Sequence, residues 1–272
     1  MTSLPLWINI AAQLFSLSVG ALSYYKKSVS KSGLAALVIS SALFIWLDHL
    51  PLLFILFFMF LSSSLLTKYK KELKSEVEKV VAKTGPRDYV QALANLGVAT
   101  IIMLIFAVYH SDVILACFIG SVAAANADSW ASEIGGLSNR KPVSIVTFKH
   151  VEKGISGGVT LLGLIGGILG SLFISALALA TLHVFSAYSG NYILLFISTA
   201  FAGFIGCILD SYLGATLQAL YKNQKDEYTE NPMGAQLAKG IRGINNDMVN
   251  FLTTLSSAGV AGLIFILIQK LF

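Results

Sequence analysis

Charge is scarce in this chain. Asp, Glu, Lys and Arg make up 12% of its 272 residues, against about a quarter in an ordinary soluble domain. Cysteine is scarcer still. Cys117 and Cys207 both lie in apolar runs, with no paired spacing, which excludes a disulfide framework or a zinc site and reads as two small buried hydrophobes. No Lys or Arg precedes Lys26, so the basic n-region of a signal peptide is missing and the first apolar run reads as a retained span. The apolar runs also lack the alternation of barrel strands, which argues against strands as the basis of the fold.

What is present is hydrocarbon. The chain is 56% hydrophobic and its mean hydropathy is +0.75, the signature of a polytopic membrane protein folded as one helical bundle. The runs predict about eight spans, at 5–24, 33–47, 50–66, 90–109, 112–128, 156–184, 191–218 and 248–270. The second and third are short, and "LDHLP" (Leu47 to Pro51) between them is either a tight external turn or the bend of a re-entrant pair.

Charge orients these spans. All of the 19 basic residues except Lys270 fall in four segments: 25–32, 67–89, 129–155 and 219–247. If the spans alternate, all four lie on one side. The opposite turns, "LDHLP", "YHSD" and "FSAYSGN", carry no Lys or Arg. The positive-inside rule then places the basic loops in the cytoplasm and both termini on the non-cytoplasmic side. The net charge of +5 is explained by that bias and by anionic headgroups, and calls for no nucleic acid. In 67–83 the charges have helical spacing, with Glu72 and Glu76 able to pair with lysines three or four residues away, so a surface-lying helix is expected.

Four polar clusters occupy the predicted cytoplasmic ends of the spans. Arg87, Gln91 and Asn95 recur at i, i+4, i+8 and share a helix face, which must meet protein or a cavity rather than lipid. They read equally well as an interhelical hydrogen-bond stripe or as substrate contacts. In "AAANADSWASEIGG", Asn126, Asp128, Ser129 and Glu133 lie among small residues that permit close approach of a backbone or ligand. Carboxylates there suit Mg²⁺, which takes few carboxylates together with substrate phosphates; a solvated helix end is the plainer alternative.

The third cluster is a basic, glycine-rich turn, Lys153, Gly154, Ile155, Ser156, Gly157 and Gly158, opening into the sixth span. Backbone N–H groups at a helix start, approached over glycine, bind anions, although the order is not that of a Walker A loop. Gly163, Gly166, Gly167 and Gly170 beyond it read as close helix packing. The fourth cluster joins Gly206, Asp210, Gly214 and Gln218 on one helix face to Arg242, Asn245, Asn246, Asp247 and Asn250. Asp210 lies two turns inside an apolar span, where a lone carboxylate is costly. It is expected either to pair with Arg87 or Arg242, or to join Asp128 and Asp247 around one metal-bound phosphate site. Carboxylates, arginines and an anion-binding turn on one face suit phosphoryl transfer, where positioning and charge neutralisation dominate. A transporter would more often break its helices at the midplane and show an internal repeat, and none is evident.

"NADSWASEIG", "GISGGVTLLG", "DSYLGATLQ" and "NNDMVN", in that order, with "TKYKK" and "RDYVQALANLG" upstream, resemble the integral membrane family labelled domain of unknown function 92, which takes in the phytyl-phosphate kinases of plants and cyanobacteria. The resemblance runs from about Gly33 to Asn250. It implies a kinase that converts an isoprenyl monophosphate such as phytyl or geranylgeranyl phosphate to the diphosphate, with CTP the favoured nucleoside triphosphate and Mg²⁺ the cofactor. Asp128 matches the family's acidic position, and Lys153, Gly154, Gly157 and Gly158 its glycine-rich stretch. Asp210, Ser211, Gly214 and Gln218 match the third motif, and Asn245, Asn246, Asp247 and Asn250 the fourth. Ser129 and Ile155-Ser156 depart from the Thr and Thr-Asn of many relatives.

The expected protein is thus a single transmembrane domain, 1–272, with its active site in the cytoplasmic loops of a bacterial plasma membrane. Asp128, Lys153, Asp210 and Asp247 are the expected catalytic residues, with the three aspartates holding metal. Arg87 and Arg242 would neutralise the acceptor phosphate. A cytidylyltransferase that makes a CDP-lipid, and an ion or lipid transporter or scaffold, are the rivals; a homo-oligomer is open.

Overall fold

The computed structural model describes residues 5–83 and 85–271, apart from the side chains of Glu76 and Glu78, so the pairing expected of Glu76 lies outside the described residues. Seven helices are long and apolar enough to span a membrane: α1 (Leu6–Tyr25), α3 (Leu50–Lys68), α5 (Tyr89–Tyr109), α6 (Asp112–Gly135), α7 (Leu161–Val184), α8 (Tyr192–Thr216) and α9 (Asn246–Gln269), while α2 (Lys31–Trp46) is apolar but shorter and α4 (Ser75–Val80) is a single short piece. The chain is therefore a polytopic helical membrane protein. At 1.5 Å per residue α2 reaches about 24 Å, short of the hydrocarbon thickness of about 30 Å.

Helix α6 is the axis of the bundle. From Leu115 to Ala127 almost every side chain is buried, because α5, α7, α8 and α9 all pack on it. Small residues make that crowding feasible. A Cβ on Gly120 would lie 2.4 Å from the Ala261 Cβ of α9, and one on Gly170 would lie 3.1 Å from the Ala127 Cα. The α7 glycines are thus packing residues, as their spacing predicts. The apolar core continues through Phe44, Phe118, Met103, Ile174 and Phe265.

The expected boundaries shift where polar residues sit. Helix α6 runs on to Gly135 rather than stopping at 128, since Ser129 to Ile134 contain no breaker and pack on α7, where Gly135 faces Gly163. Helix α7 begins at Leu161 rather than 156, capped by Thr160, whose Oγ1 accepts from the Gly163 N–H. Segment 67–83 is not one surface helix. A 3₁₀ turn (Lys71–Lys74) precedes α4, and Lys74 turns inward to donate to Glu133 and to the Leu66 carbonyl.

The loops at the basic end carry strands the composition argued against. β1 (Val143–Ser144) pairs with β2 (Gly158–Val159), and β3 (Leu220–Lys222) pairs with both β4 (Tyr228–Thr229) and β5 (Gln236–Lys239), all antiparallel. They lie outside the spans, where turn chemistry and not hydrocarbon sets the structure.

Candidate functional site

Two carboxyl groups meet inside the bundle. The carboxyl groups of Asp128 of α6 and Asp210 of α8 come within hydrogen-bonding reach of each other, and the Thr253 hydroxyl of α9 donates to Asp210 Oδ2 at 3.2 Å. Each aspartate lies about two turns from the basic end of its helix. Glycines bring the three helices this close. A Cβ on Gly206, one turn deeper than Asp210, would lie 2.6 Å from the Ala124 Cβ and 2.2 Å from the Ser257 Oγ. Two contacting carboxyl groups are held together by a proton or a cation between them. One turn along α9 from Thr253, towards the basic end, the buried Asn250 Oδ1 has no hydrogen-bond partner. Two carboxylates and an orphaned amide oxygen are the hard-oxygen donors that Mg²⁺ takes.

Asp247 does not complete the expected triad. It lies in the first turn of α9, nearer the basic end than Thr253, and its Oδ2 accepts from Lys83 Nζ at 2.6 Å. Among the described residues no three His, Cys, Asp or Glu side chains are grouped to hold a metal. Asp210 is also not paired with an arginine, for Arg87 reaches Ser64 and Arg242 is exposed in its loop.

Lys83 also bonds Asp88, at 3.1 Å, and Asp88 caps α5 with a reciprocal capping box to Gln91. Burial opposes the charge of Asp88, but the Gln91 N–H and the Lys83 ammonium hold its carboxyl below the usual range. Burial likewise opposes the Lys83 charge, and its bonds to Asp247 and Asp88 outweigh that and hold it above its ordinary value. Stability from Asp88 is present above the ordinary carboxylate pKa and is lost as pH falls through the depressed one; that from Lys83 is lost only as pH rises through its raised value. Asp88→Ala is expected to cost about 1 kcal/mol and to flatten the acid limb of the stability profile, as read by thermal unfolding in detergent from acid to neutral pH.

The Arg87, Gln91, Asn95 stripe does face a cavity, of about 70 Å³, between α2, α3, α5 and α6, which Ser129, Phe60 and Leu37 also line. The Arg87 backbone is fixed by a bridge to Val29, with Arg87 N–H donating to the Ser28 carbonyl and Ser30 N–H to the Arg87 carbonyl. Gly33 permits this, since its Cβ would lie 2.2 Å from the Arg87 carbonyl oxygen. The guanidinium stands over the Phe60 ring and, among the described residues, makes one long hydrogen bond, 3.4 Å to Ser64 Oγ. A guanidinium has five N–H donors; in this cavity they can receive an anion. Gln91 Oε1 and Asn95 Nδ2 are partly engaged with their own helix.

Several expected ligand contacts hold the fold together instead. Asn126 donates to the Gly170 carbonyl and accepts from Ser62, and Glu133 accepts from Thr67 and Lys74. Gly154 packs on Val77 and Val80, and Gly157 packs against the Ala215 backbone; both have positive φ. Gly158 is in β2 and Gly214 packs on Gly157. The glycine turn therefore does not open straight into a helix, because β2 and the Thr160 cap intervene. Lys153 is half-buried in that turn, and Ser211 is half-buried on α8. Asn245 caps α9, and Asn246 is exposed beside it.

Sequence reasoning missed Glu230. Its Oε1 accepts from Ser156 and Gln218, its Oε2 accepts from the Ala82 N–H, and Lys239 Nζ reaches the Ser156 carbonyl. Burial raises the pKa of the Glu230 carboxyl, with these hydrogen bonds acting against it. One side chain thus joins three basic-end loops, and "YTENP" gave no periodic signal for it. Thr253 was also missed, though it is one turn from Asn250 and so was recoverable from helical spacing.

Fold and site together define a polytopic helical membrane protein with a half-buried acidic pair between three spans. The family model for the integral membrane proteins DUF92 matches residues 14–258, and the chain belongs to that family. It is similar to Protein PGR of Arabidopsis thaliana, at 31% identity over 94% of this chain and 95% of that protein. It is also similar to an uncharacterised membrane protein of Methanocaldococcus jannaschii, at 32% identity over 67% of this chain and 62% of that protein. No solved structure matches it.

Proposed function

We propose that the protein is a membrane phosphotransferase that moves a phosphoryl group from a nucleoside triphosphate, CTP by preference, to an isoprenyl monophosphate. The observation that carries this reading is the Asp128–Asp210 pair, two carboxyl groups in contact, with the orphaned Asn250 oxygen one helical turn from the Thr253 that bonds Asp210. Bound there, Mg²⁺ would neutralise and orient phosphoryl oxygens. The Arg87 cavity supports the other half: an anionic head would meet the guanidinium while apolar walls of Leu37, Met59 and Phe60 face its chain. Lys153 is the cation proposed for the triphosphate, and the positive-inside bias supports a site on the cytoplasmic side of a bacterial plasma membrane. An acceptor phosphate oxygen forms the new bond to the terminal phosphorus, the bond to the bridging oxygen breaks, and the nucleoside diphosphate leaves with that electron pair. The acceptor is already an anion, so no base need remove a proton.

The test is the purified protein in detergent with Mg²⁺, CTP or ATP, and prenyl monophosphates from geranyl to phytyl, with lipid products read by mass spectrometry. A prenyl diphosphate is expected. A CDP-lipid would move the assignment to cytidylyl transfer. A second reading, cation- or proton-coupled transport, is favoured by the same carboxyl pair lying between packed helices. No product from folded protein, with flux lost in Asp210→Asn, would establish that one instead. Under the kinase reading, Arg87→Gln is expected to raise KM for the prenyl phosphate by about 10–100-fold, since a charge-assisted contact is removed, and to leave KM for the nucleotide unchanged.

A further inference from the structure

The loop joining α6 to α7 holds a small, well-built hairpin that plays no part in the proposed chemistry. Ser144 N–H donates to the Lys149 carbonyl, Phe148 N–H to the Ser144 carbonyl and Thr147 N–H to the Ser144 hydroxyl, while Ile145 N–H ties the hairpin to the Gly157 carbonyl. A loop so well bonded could have turned its apolar side chains inward. Instead Phe148 is 81% exposed and Val146 is exposed beside it. Phe148 also adopts a left-handed backbone, φ +56°, a conformation that is unfavourable for a bulky residue.

The surroundings say what covers this tip. Arg140, Lys141, Lys149 and His150 are all exposed around it, and Glu152 is the one acidic residue between Arg140 and Lys153. Strand β2, paired with β1 of the hairpin, runs through Thr160 directly into α7, whose first turn exposes Leu161 and Leu162. Exposed leucines on a spanning helix face hydrocarbon, so the bilayer begins there. The base of the hairpin is bonded to Gly157, which packs on Ala215 in the last turn of α8, so it lies level with a span end, where an aromatic ring and cations are both favoured.

We propose that hairpin 143–150 is an interfacial anchor, with Phe148 and Val146 set among the upper acyl chains and Arg140, Lys141 and Lys149 binding anionic phospholipid headgroups of the protein's own bilayer. Each cation near such a surface strengthens the attachment, and salt screens that attraction. The proposal stands whether or not the protein is a kinase.

A dye on Phe148→Cys tests it, in protein also carrying Cys117→Ala and Cys207→Ala, reconstituted in phosphatidylcholine nanodiscs with or without phosphatidylglycerol. Lys225→Cys, at an exposed loop tip, is the aqueous reference. Headgroup-proximal spin-labelled lipid is expected to quench the dye at 148 several-fold more than at 225 in anionic discs. The difference should shrink in the Arg140→Gln, Lys141→Gln, Lys149→Gln variant and in high salt. Aqueous iodide reaching both positions equally in anionic discs overturns the anchor. Equal quenching of the dye at 148 in neutral discs, undiminished in the triple variant, overturns the headgroup assignment. Protection by polyglutamate in lipid-free detergent that exceeds protection by anionic discs would make the surface a protein-docking site instead.

Discussion

Under the proposed kinase reading, Asp128→Asn is expected to lower prenyl-phosphate phosphorylation by about 10³-fold, the scale of losing a group that organises transition-state charge, and to leave the bundle folded. The substitution keeps the side chain's shape and its capacity to hydrogen-bond Asp210. The fold should therefore survive where Asp128→Ala would open a gap. Asp210→Asn should act alike, and the double variant should be little worse than either, because groups that hold one ion act as a unit. Transfer in Asp128→Asn within about tenfold of wild type, at the same unfolding midpoint, removes the pair from the chemistry.

The second large effect concerns what lets those carboxyl groups meet. Gly206→Leu is expected to cost about 3 kcal/mol or more, through overpacking at a three-helix contact. The Ser257 hydroxyl, 2.2 Å from the new Cβ, can rotate away, but the Ala124 Cβ at 2.6 Å belongs to the buried centre of α6 and cannot. Helices α6, α8 and α9 must then separate beside Asp210. Gly259→Leu is the control, since nothing lies within 4 Å of its Cβ position. Thermal unfolding in one detergent compares the two. Equal midpoints would mean that the helices can part there at no cost, and that their close approach does not position the pair.

Much of this protein was legible in its sequence, for identifiable reasons. The spans were readable because hydrocarbon tolerates no unpaired backbone, so long apolar runs become helices. The Arg87, Gln91, Asn95 stripe was readable from its four-residue period, and it does line a cavity. The α7 glycines were readable as packing residues, since nothing polar accompanies them. The family motifs were readable as well, and the chain belongs to the family they indicated.

Partner choice was not legible. Asp128, Asp210 and Asp247 look alike in sequence, each an aspartate near the basic end of a span. The packing of α8 and α9 on α6 brings the first two together, while the segment before α5 delivers Lys83 to the third. Asn126 and Glu133 likewise found α7 and α3, and Gly157 found the backbone of Ala215, because each met the element folded against it. Local sequence sets helix length, amphipathic face and where charge can stand, since those depend on hydropathy and on spacing along one chain. Which carboxylate faces another and which faces a lysine depends on contacts between segments far apart in the chain. Only the tertiary structure decides those.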